Sequence, residues 1–415
     1  MTYESWGRFF RSRPARVVSL DWPHELPSFD GGSVLPYGLG RSYGDVCLNN
    51  GGTLLDTRGM SRFRRFDRET GLLECEAGAT LEEILDVIVP AGWFLPVTPG
   101  TKFVTLGGCI ANDVHGKNHH RAGTFGRWVR SLELRRSDRR SAPLEATIGG
   151  LGLTGLITFA TVQLRRIESP FLLTEAIPFR GLEEFQSLSD SSDRTHEYTV
   201  AWFDSFDGRD ARGIFFRGNH TQSDARARKR RPMKLPVPPL LNPATIRAFN
   251  TFYFRAAQHP EPRVQHYDPF FYPLDAVANW NAAYGRRGFV QYQCVIPTAA
   301  GLEPVAEILD RTAQSKMASF LTVIKKFGEL ASPGMLSFPR PGTTVCLDFA
   351  VKHDSLWPML DDFDAIVAEA GGSVYPAKDS RLSPARFKQF FPQWEQFVPY
   401  IDPKFSSSFW RRVMA

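Results

Sequence analysis

Apolar residues at Leu81, Ile84, Leu85 and Ile88 recur at the spacing of one helix face. Thr80 in front of them and Glu83 three positions later make a capping box, and Pro90 stops the segment. Beyond it, RSLELRR (130–136) and LTGLITFATVQLRRI (153–167) read as strands, joined through GGLGLTG (149–155). Later, FVQYQCVIP (289–297) alternates with period two, setting Gln291 and Gln293 on one face and Val290, Tyr292, Cys294 and Ile296 on the other. TTVCLDFAV (343–351) sets Thr344, Cys346 and Asp348 against Val345, Leu347, Phe349 and Val351, which puts Cys346 on the polar side. Helices are predicted from Leu356 to Ala370, ended by Gly371 and Gly372, and from Ser383-Pro384 to Phe391. Ser223 to Arg263 has no clear period. It carries Arg226, Arg228, Lys229, Arg230, Arg231 and Lys234, then LPVPPLL, and reads as a solvated, partly disordered loop. Its sharper alternatives are a mobile lid or a contact with anionic lipid heads.

Two glycine-rich stretches interrupt the pattern: PYGLGRSYGDVCLNN (36–50) and TPGTKFVTLGGCIANDVHGKNHHRAGTFG (98–126). Glycine lets backbone approach a ligand closely, and the amides of such turns cradle a pyrophosphate without carrying charge themselves. Arg41, Ser42 and Tyr43 add donors for phosphate or carbonyl oxygens. Joined by strands and a helix, the two loops suggest two walls of one cleft. The common nucleotide fingerprints fail. Gly38-x-Gly40 meets its next glycine only at Gly44, so the Rossmann pattern is absent, and Gly116-Lys117 precedes Asn118 where a P-loop needs Ser or Thr. Glycine loops feeding strands make the first 165 or so residues an α+β nucleotide domain.

Composition narrows the class. A chain of 415 residues buries a large core and divides into about two domains. With 42% hydrophobic and 23% charged residues it is an ordinary globular protein, and no apolar run reaches the roughly 18 residues of a membrane span. The first residues show no secretory pattern, so the protein is expected in the cytoplasm, beginning near Met1. Cys47, Cys75, Cys109, Cys294 and Cys346 are dispersed and odd in number, as expected of reduced thiols. The net charge of +6 favours anionic partners but is too modest to indicate nucleic acid. His115, His119 and His120 offer an i, i+4 spacing with no cysteine pair or H-E-x-x-H, so no metal site is expected.

With HGKNHH and the following AGTFG, YGRRGFVQYQCVIP and YPAKDSR (375–381), the chain resembles the decaprenylphosphoryl-β-D-ribose 2′-oxidases, flavoenzymes of vanillyl-alcohol-oxidase type. The resemblance covers nearly the whole chain. It implies an α+β fold: a two-lobed PCMH-type FAD-binding domain over 1–167 and 373–415, with an inserted substrate-binding domain of antiparallel sheet and helices over 168–372. It implies FAD-dependent oxidation of the 2′-hydroxyl of a lipid-phosphate-linked ribose, a short-chain NAD(P)H reductase partner that completes epimerisation to arabinose, and no nucleic acid. A peripheral contact with the inner membrane surface fits such a substrate. The alternatives are an oxidase of a soluble aldonolactone or alditol and, more remotely, a non-enzymatic anion-binding protein.

Carried over by motif, the first FAD wall comprises Pro36, Tyr37, Gly38, Leu39, Gly40, Arg41, Ser42, Tyr43, Gly44, Asp45 and Val46. The second comprises Gly100, Thr105, Leu106, Gly107, Gly108, Asn112, Asp113, Val114 and His115, completed by Gly152, Ile157 and Tyr375. The resemblance gives Lys378, Tyr43 and His115 to the chemistry and Lys117, Tyr272, Gln291, Gln293, Lys325 and Cys346 to the substrate. Lysine can lose its proton when desolvated, which makes Lys378 the leading candidate for proton acceptor or orienting group. Three departures from the family stand out: Thr344 replaces an asparagine, Asn112 replaces a cysteine, and the stretch from Arg136 to Ile148 is about ten residues short of the family's usual length. Relatives that attach FAD covalently carry histidine where this chain has Arg41. A guanidinium is no nucleophile, so FAD is expected to be non-covalent.

Overall fold

A computed structural model describes residues 3–25, 31–225, 233–234, 242–317, 319 and 322–415. Three short strands, Arg16–Ser19, Thr53–Asp56 and Val34–Tyr37, form a parallel sheet in that order. Phe63–Asp67, Leu72–Glu76, Leu156–Gln163 and Val129–Arg135 form a four-stranded antiparallel sheet. The largest sheet is antiparallel throughout and runs His259–His266, Phe171–Arg180, Arg212–Thr221, Tyr198–Phe203, Thr322–Phe327, Gly342–Ala350, Phe289–Pro297, Ser373–Val374. The fold is therefore α+β.

Local sequence explains the elements that shape the site. The helix Leu81–Ile88 carries the expected capping box: Thr80 Oγ1 accepts from the Glu83 amide at 3.1 Å, and Glu83 accepts from the Thr80 amide at 2.8 Å. Leu81, Ile84, Leu85 and Ile88 are all buried, each contributing about 1.5–3 kcal/mol. Phe289–Pro297 and Gly342–Ala350 pair so that Gln291 faces Asp348 and Gln293 faces Cys346. Their other faces, Val290, Tyr292, Cys294, Ile296, Val345, Leu347 and Phe349, join one core with Leu360, Phe363 and Val367 of the helix Leu356–Glu369. That division follows from period two: one side of each strand is apolar enough to bury, so the amides and Cys346 must turn the other way.

Two expectations need restating. Ser223 to Arg263 is not a structureless loop throughout. Asn242 caps a helix Pro243–Ala256 with its side chain accepting from the Ala244 and Thr245 amides, and the edge strand His259–His266 follows. Asn-Pro with Thr three residues on was the readable start signal, but proline-rich sequence ahead of it and Pro260 and Pro262 after it hid the periodicity. The basic run at 226–231 and the apolar stretch 235–241 lie outside the described residues. The short connection between Arg136 and Ile148 is closed by specific contacts. Arg136 donates to the Thr154 and Tyr400 carbonyls, both at 2.6 Å, and pairs with Asp138, while Ser137 is held by Asp402.

The chain's C-terminal segment returns to the first loop. Val34 donates to the Lys404 carbonyl at 2.8 Å. Arg412, from the helix Ser408–Val413, binds both Asp45 oxygens and Asp379 at 2.7–3.0 Å and also donates to the Leu382 carbonyl. Asp45 and Asp379 are both buried. One guanidinium thus ties the first glycine loop to the loop that carries Lys378.

Candidate active site

Both glycine loops and the polar face of the large sheet open onto one cavity of about 1490 Å³. From the first loop Pro36, Gly38, Leu39, Gly40, Arg41, Ser42, Tyr43 and Val46 line it. From the second come Gly100, Thr105, Gly107, Gly108, Asn112, Val114 and His115, with Gly152, Ile157 and Tyr375 beside them. The sheet contributes Gln291, Gln293, Lys325, Thr344 and Cys346, and Lys117 and Lys378 complete the polar end.

Six expected residues stand behind that wall. Tyr37 is buried with its hydroxyl donating to the Glu4 carbonyl at 2.7 Å. Gly44 sits where any Cβ would strike the Asp379 carbonyl, so its glycine serves loop-to-loop approach. Asp45 answers Arg412. Leu106 is core, and Asp113 accepts from the Gly126 amide and Ser337, shaping the loop from within. Tyr272 is buried with its hydroxyl 2.6 Å from Thr98 Oγ1, and it is Thr98 that lines the cavity.

The first loop is suited to a pyrophosphate. The amides of Gly38, Leu39, Gly40, Arg41 and Ser42 donate to no protein acceptor among the described residues, and all five residues face the cavity. Consecutive free amides form an anion-binding concavity. Gly40 has φ +60°, and a Cβ there would meet the Tyr37 hydroxyl at 2.2 Å, so the turn requires glycine. A Cβ on Gly100 would meet nothing of the protein, and would occupy cavity space instead. The Arg41 guanidinium lies 4.0 Å from the Trp6 ring centroid. Its Nε and Asn112 Oδ1 are buried without a hydrogen-bond partner among the described residues. Free amides and an unpartnered guanidinium nitrogen on the first loop, with an unpartnered amide oxygen on the second, fit a flavin dinucleotide's phosphates, hydroxyls and ring edge.

The other wall is cationic. Lys325 Nζ lies 2.9 Å from His115 Nδ1 and donates to the Gly116 carbonyl at 3.2 Å; Gln293 Nε2 lies 3.0 Å from His115 Nε2 and 3.2 Å from Thr344 Oγ1. His115 is further fixed between Phe327, Phe338 and Tyr375. Lys117 donates to the Phe270 carbonyl. Lys378 Nζ stands 3.6 Å from the centroid of the Tyr43 ring. Its loop is held by the Tyr43 amide on the Ala377 carbonyl at 2.8 Å and the Tyr375 amide on the Gln293 carbonyl at 2.9 Å. None of Lys117, Lys325 and Lys378 has a carboxylate within 4 Å among the described residues.

Enclosure shapes their chemistry. Desolvation lowers Lys378 to about 8 against the opposing pull of Cys346 and Asp348, and lowers Lys325 and Lys117 to about 7. Desolvation, then Lys325, pushes His115 well below the usual histidine range, so it is neutral. Burial raises the Cys346 thiol to about 12 and Tyr43 well above its ordinary value. Cys346 is thus a thiol that lines the pocket, and a lysine near neutrality is the group able to take up a proton. His119 and His120 turn away from the cavity, to the Gly328 amide and the His196 carbonyl.

Sequence reasoning missed two parts of the site. Trp6 reaches the cavity because its amide bonds the Ser42 carbonyl at 2.8 Å, a contact with no sequence signal. The outer end is largely apolar: Ile246, Phe249, Tyr253, Val264, Val277 and Trp280 line it beside Arg263, Gln265 and Asp275, and Phe249 and Val264 are also exposed. Most of that lining comes from the helix Pro243–Ala256 and the edge strand.

Comparison with known proteins agrees with this geometry. A model of the FAD binding domain matches residues 28–138. Decaprenylphosphoryl-beta-D-ribose oxidase of Mycolicibacterium smegmatis is 36% identical over 98% of this chain and 96% of its own. A protein of Streptomyces coelicolor described as an uncharacterized protein in the mprA 5′ region is 32% identical over 80% of this chain and 99% of its own. D-lactate dehydrogenase of Anaerostipes hadrus is 26% identical over 41% of this chain.

Proposed function

The chain belongs to the decaprenylphosphoryl-β-D-ribose oxidase family of FAD-dependent oxidoreductases, and from that premise we propose that its cavity oxidises the 2′-hydroxyl of a polyprenyl-phosphoryl ribose to a ketone. The observation that carries the reading is one cavity with two unlike ends: three lysines without a carboxylate partner among the described residues at one, and an apolar, partly exposed lining at the other. An amphiphilic phosphate is the ligand that satisfies both. A soluble aldonolactone or alditol leaves the apolar end without an occupant.

The free amides of Gly38 to Ser42, with Arg41 and Asn112, would hold FAD. When bound, FAD supplies the acceptor for the carbinol hydride. The protein supplies the rest. Gln291 and Gln293 orient the ribose hydroxyls, the second of them fixed by His115 and Thr344. Neutral Lys378 takes the hydroxyl proton at Nζ and becomes an ammonium over the Tyr43 ring. Lys325 and Lys117 receive the phosphate, whose negative charge restores their protonated forms. Ile246, Phe249, Tyr253 and Trp280 carry the prenyl chain toward the surface.

A ketone formed this way is consumed by reduction from the opposite face, the task of a short-chain NAD(P)H reductase. No described helix is long and apolar enough to cross a membrane. The exposed Met233, Phe249 and Phe252, with Arg247 and Arg255 on the same helix as the phenylalanines, suit a peripheral contact with an anionic inner-membrane surface. The test is a chain-length series of phosphoryl riboses, run with and without anionic vesicles at low and high salt. The reading expects kcat/KM to rise with prenyl length in detergent solution and vesicle binding to weaken with salt. Equal kcat/KM for the prenylated and unprenylated compounds would remove the lipid from the reading.

A further inference from the structure

Asp348 has no part in the chemistry described so far, yet it is the carboxylate whose charge acts on Lys378. It lies on the strand Gly342–Ala350, on the same face as Thr344 and Cys346, and is 0% exposed. Its carboxylate accepts from Gln291 Nε2 at 2.5 Å across the ladder and from the Tyr284 hydroxyl at 3.1 Å. Gln291 and Lys378 line the same small void, and Lys378 sits over Tyr43. The titratable groups that face Asp348 are Lys378 from the loop after Tyr375, Tyr284 from the turn Trp280–Tyr284, Tyr43 from the first glycine loop, and Cys346 from its own strand. Burial raises the Asp348 carboxyl to about 7, with Gln291, Lys378 and Tyr284 pulling the other way, so it carries its charge above that pH. Such a buried carboxylate costs several kcal/mol to keep, and apolar residues would fill its place more cheaply.

We propose that Asp348 is a positioning residue for the oxidation, holding Gln291 in one amide orientation and stabilising the ammonium that forms on Lys378. An ionised carboxylate only accepts, so it draws Gln291 Nε2 toward itself and turns Oε1 toward the Tyr43 hydroxyl, which also bonds this amide, and the cavity. When the substrate hydroxyl gives its proton to Lys378 Nζ, positive charge appears beside Asp348, and the attraction favours that transfer. The same field holds Lys378 protonated to higher pH than burial alone would, which agrees in sign with the opposing pulls on Lys378.

The inference rests on Lys378 being the proton acceptor. The test is the pH profile of anaerobic flavin reduction for the FAD-loaded wild type, Lys378→Met, Asp348→Asn and Asp348→Ser. Asparagine keeps the shape and one acceptor but not the charge. Serine is smaller and fits where asparagine does not fold. The expected result is an acid limb, absent from Lys378→Met, that moves to lower pH by about half a unit or more in both Asp348 variants, with a lower plateau. An acid limb that persists in Lys378→Met removes the proton-acceptor reading itself. A limb that depends on Lys378 but keeps its wild-type position in an Asp348 variant that binds FAD overturns the role of Asp348 and leaves it a structural carboxylate. A limb that moves to higher pH does the same.

Discussion

Replacing Lys378 separates proton transfer from mere charge. Its ammonium lies over Tyr43 in an enclosed cavity and is lowered to about 8. At pH 7 about one Lys378 in ten is then neutral, and at pH 6 about one in a hundred. If the neutral form accepts the hydroxyl proton, the rate of flavin bleaching by substrate rises roughly tenfold per pH unit up to about pH 8 and then levels. Lys378→Met keeps the length of the side chain and removes the acceptor, and the expected loss is about 10²- to 10⁴-fold, or roughly 3–5 kcal/mol of barrier. Lys378→Arg keeps the cation over Tyr43 but cannot give up its proton near neutral pH, so it should fail equally. Stopped-flow bleaching under anaerobic conditions reads all three, with FAD content measured for each variant. An arginine variant that bleaches within about tenfold of wild type would show that positive charge, not proton uptake, is what Lys378 supplies.

Other residues give separate expectations. Arg412→Ala leaves the buried Asp45 and Asp379 without their shared cation, a loss of about 3–5 kcal/mol that lowers Tm by about 3–6 °C for a chain of this length; an unchanged Tm contradicts the clamp. Arg41→Ala removes a buried guanidinium from the FAD wall, so FAD should dissociate about 10- to 100-fold more readily, a cost of about 1.4–2.8 kcal/mol; undiminished FAD content after dialysis contradicts its part in binding. Asp113 is raised to about 6 by burial, above its unfolded value, so its contribution to stability is complete below about pH 4 and is lost as pH rises through about 6. Asp113→Asn should therefore gain stability relative to wild type between pH 4 and pH 7, and a difference that stays flat across that range refutes the assignment.

The parts of the site readable in the sequence are those governed by local rules. Period two alone placed Gln291, Gln293 and Cys346 opposite the core, because one face of each strand had to be buried. The capping box marked the helix between the two loops. Glycine content marked both loops but not the reason for each glycine: Gly40 serves a left-handed turn, whereas Gly44 serves contact with the loop of Asp379, more than 300 positions away. Distance along the chain is what hid the rest. Nothing near Asp45 in sequence names Arg412 as its partner, so a buried anchor looks like a cofactor ligand. Tyr272 likewise stands one residue behind the wall, because its hydroxyl finds Thr98. The helix Pro243–Ala256 was obscured by prolines on both sides of an otherwise well-capped segment.

The most direct measurement mixes the FAD-loaded protein with a polyprenyl-phosphoryl ribose in the absence of oxygen, follows the flavin absorbance band and identifies the sugar product. The account expects the band to bleach and one 2′-ketone to form per flavin reduced. A yellow protein that stays oxidised with this compound, yet bleaches with a soluble alditol or aldonolactone, would contradict the lipid-linked sugar as substrate.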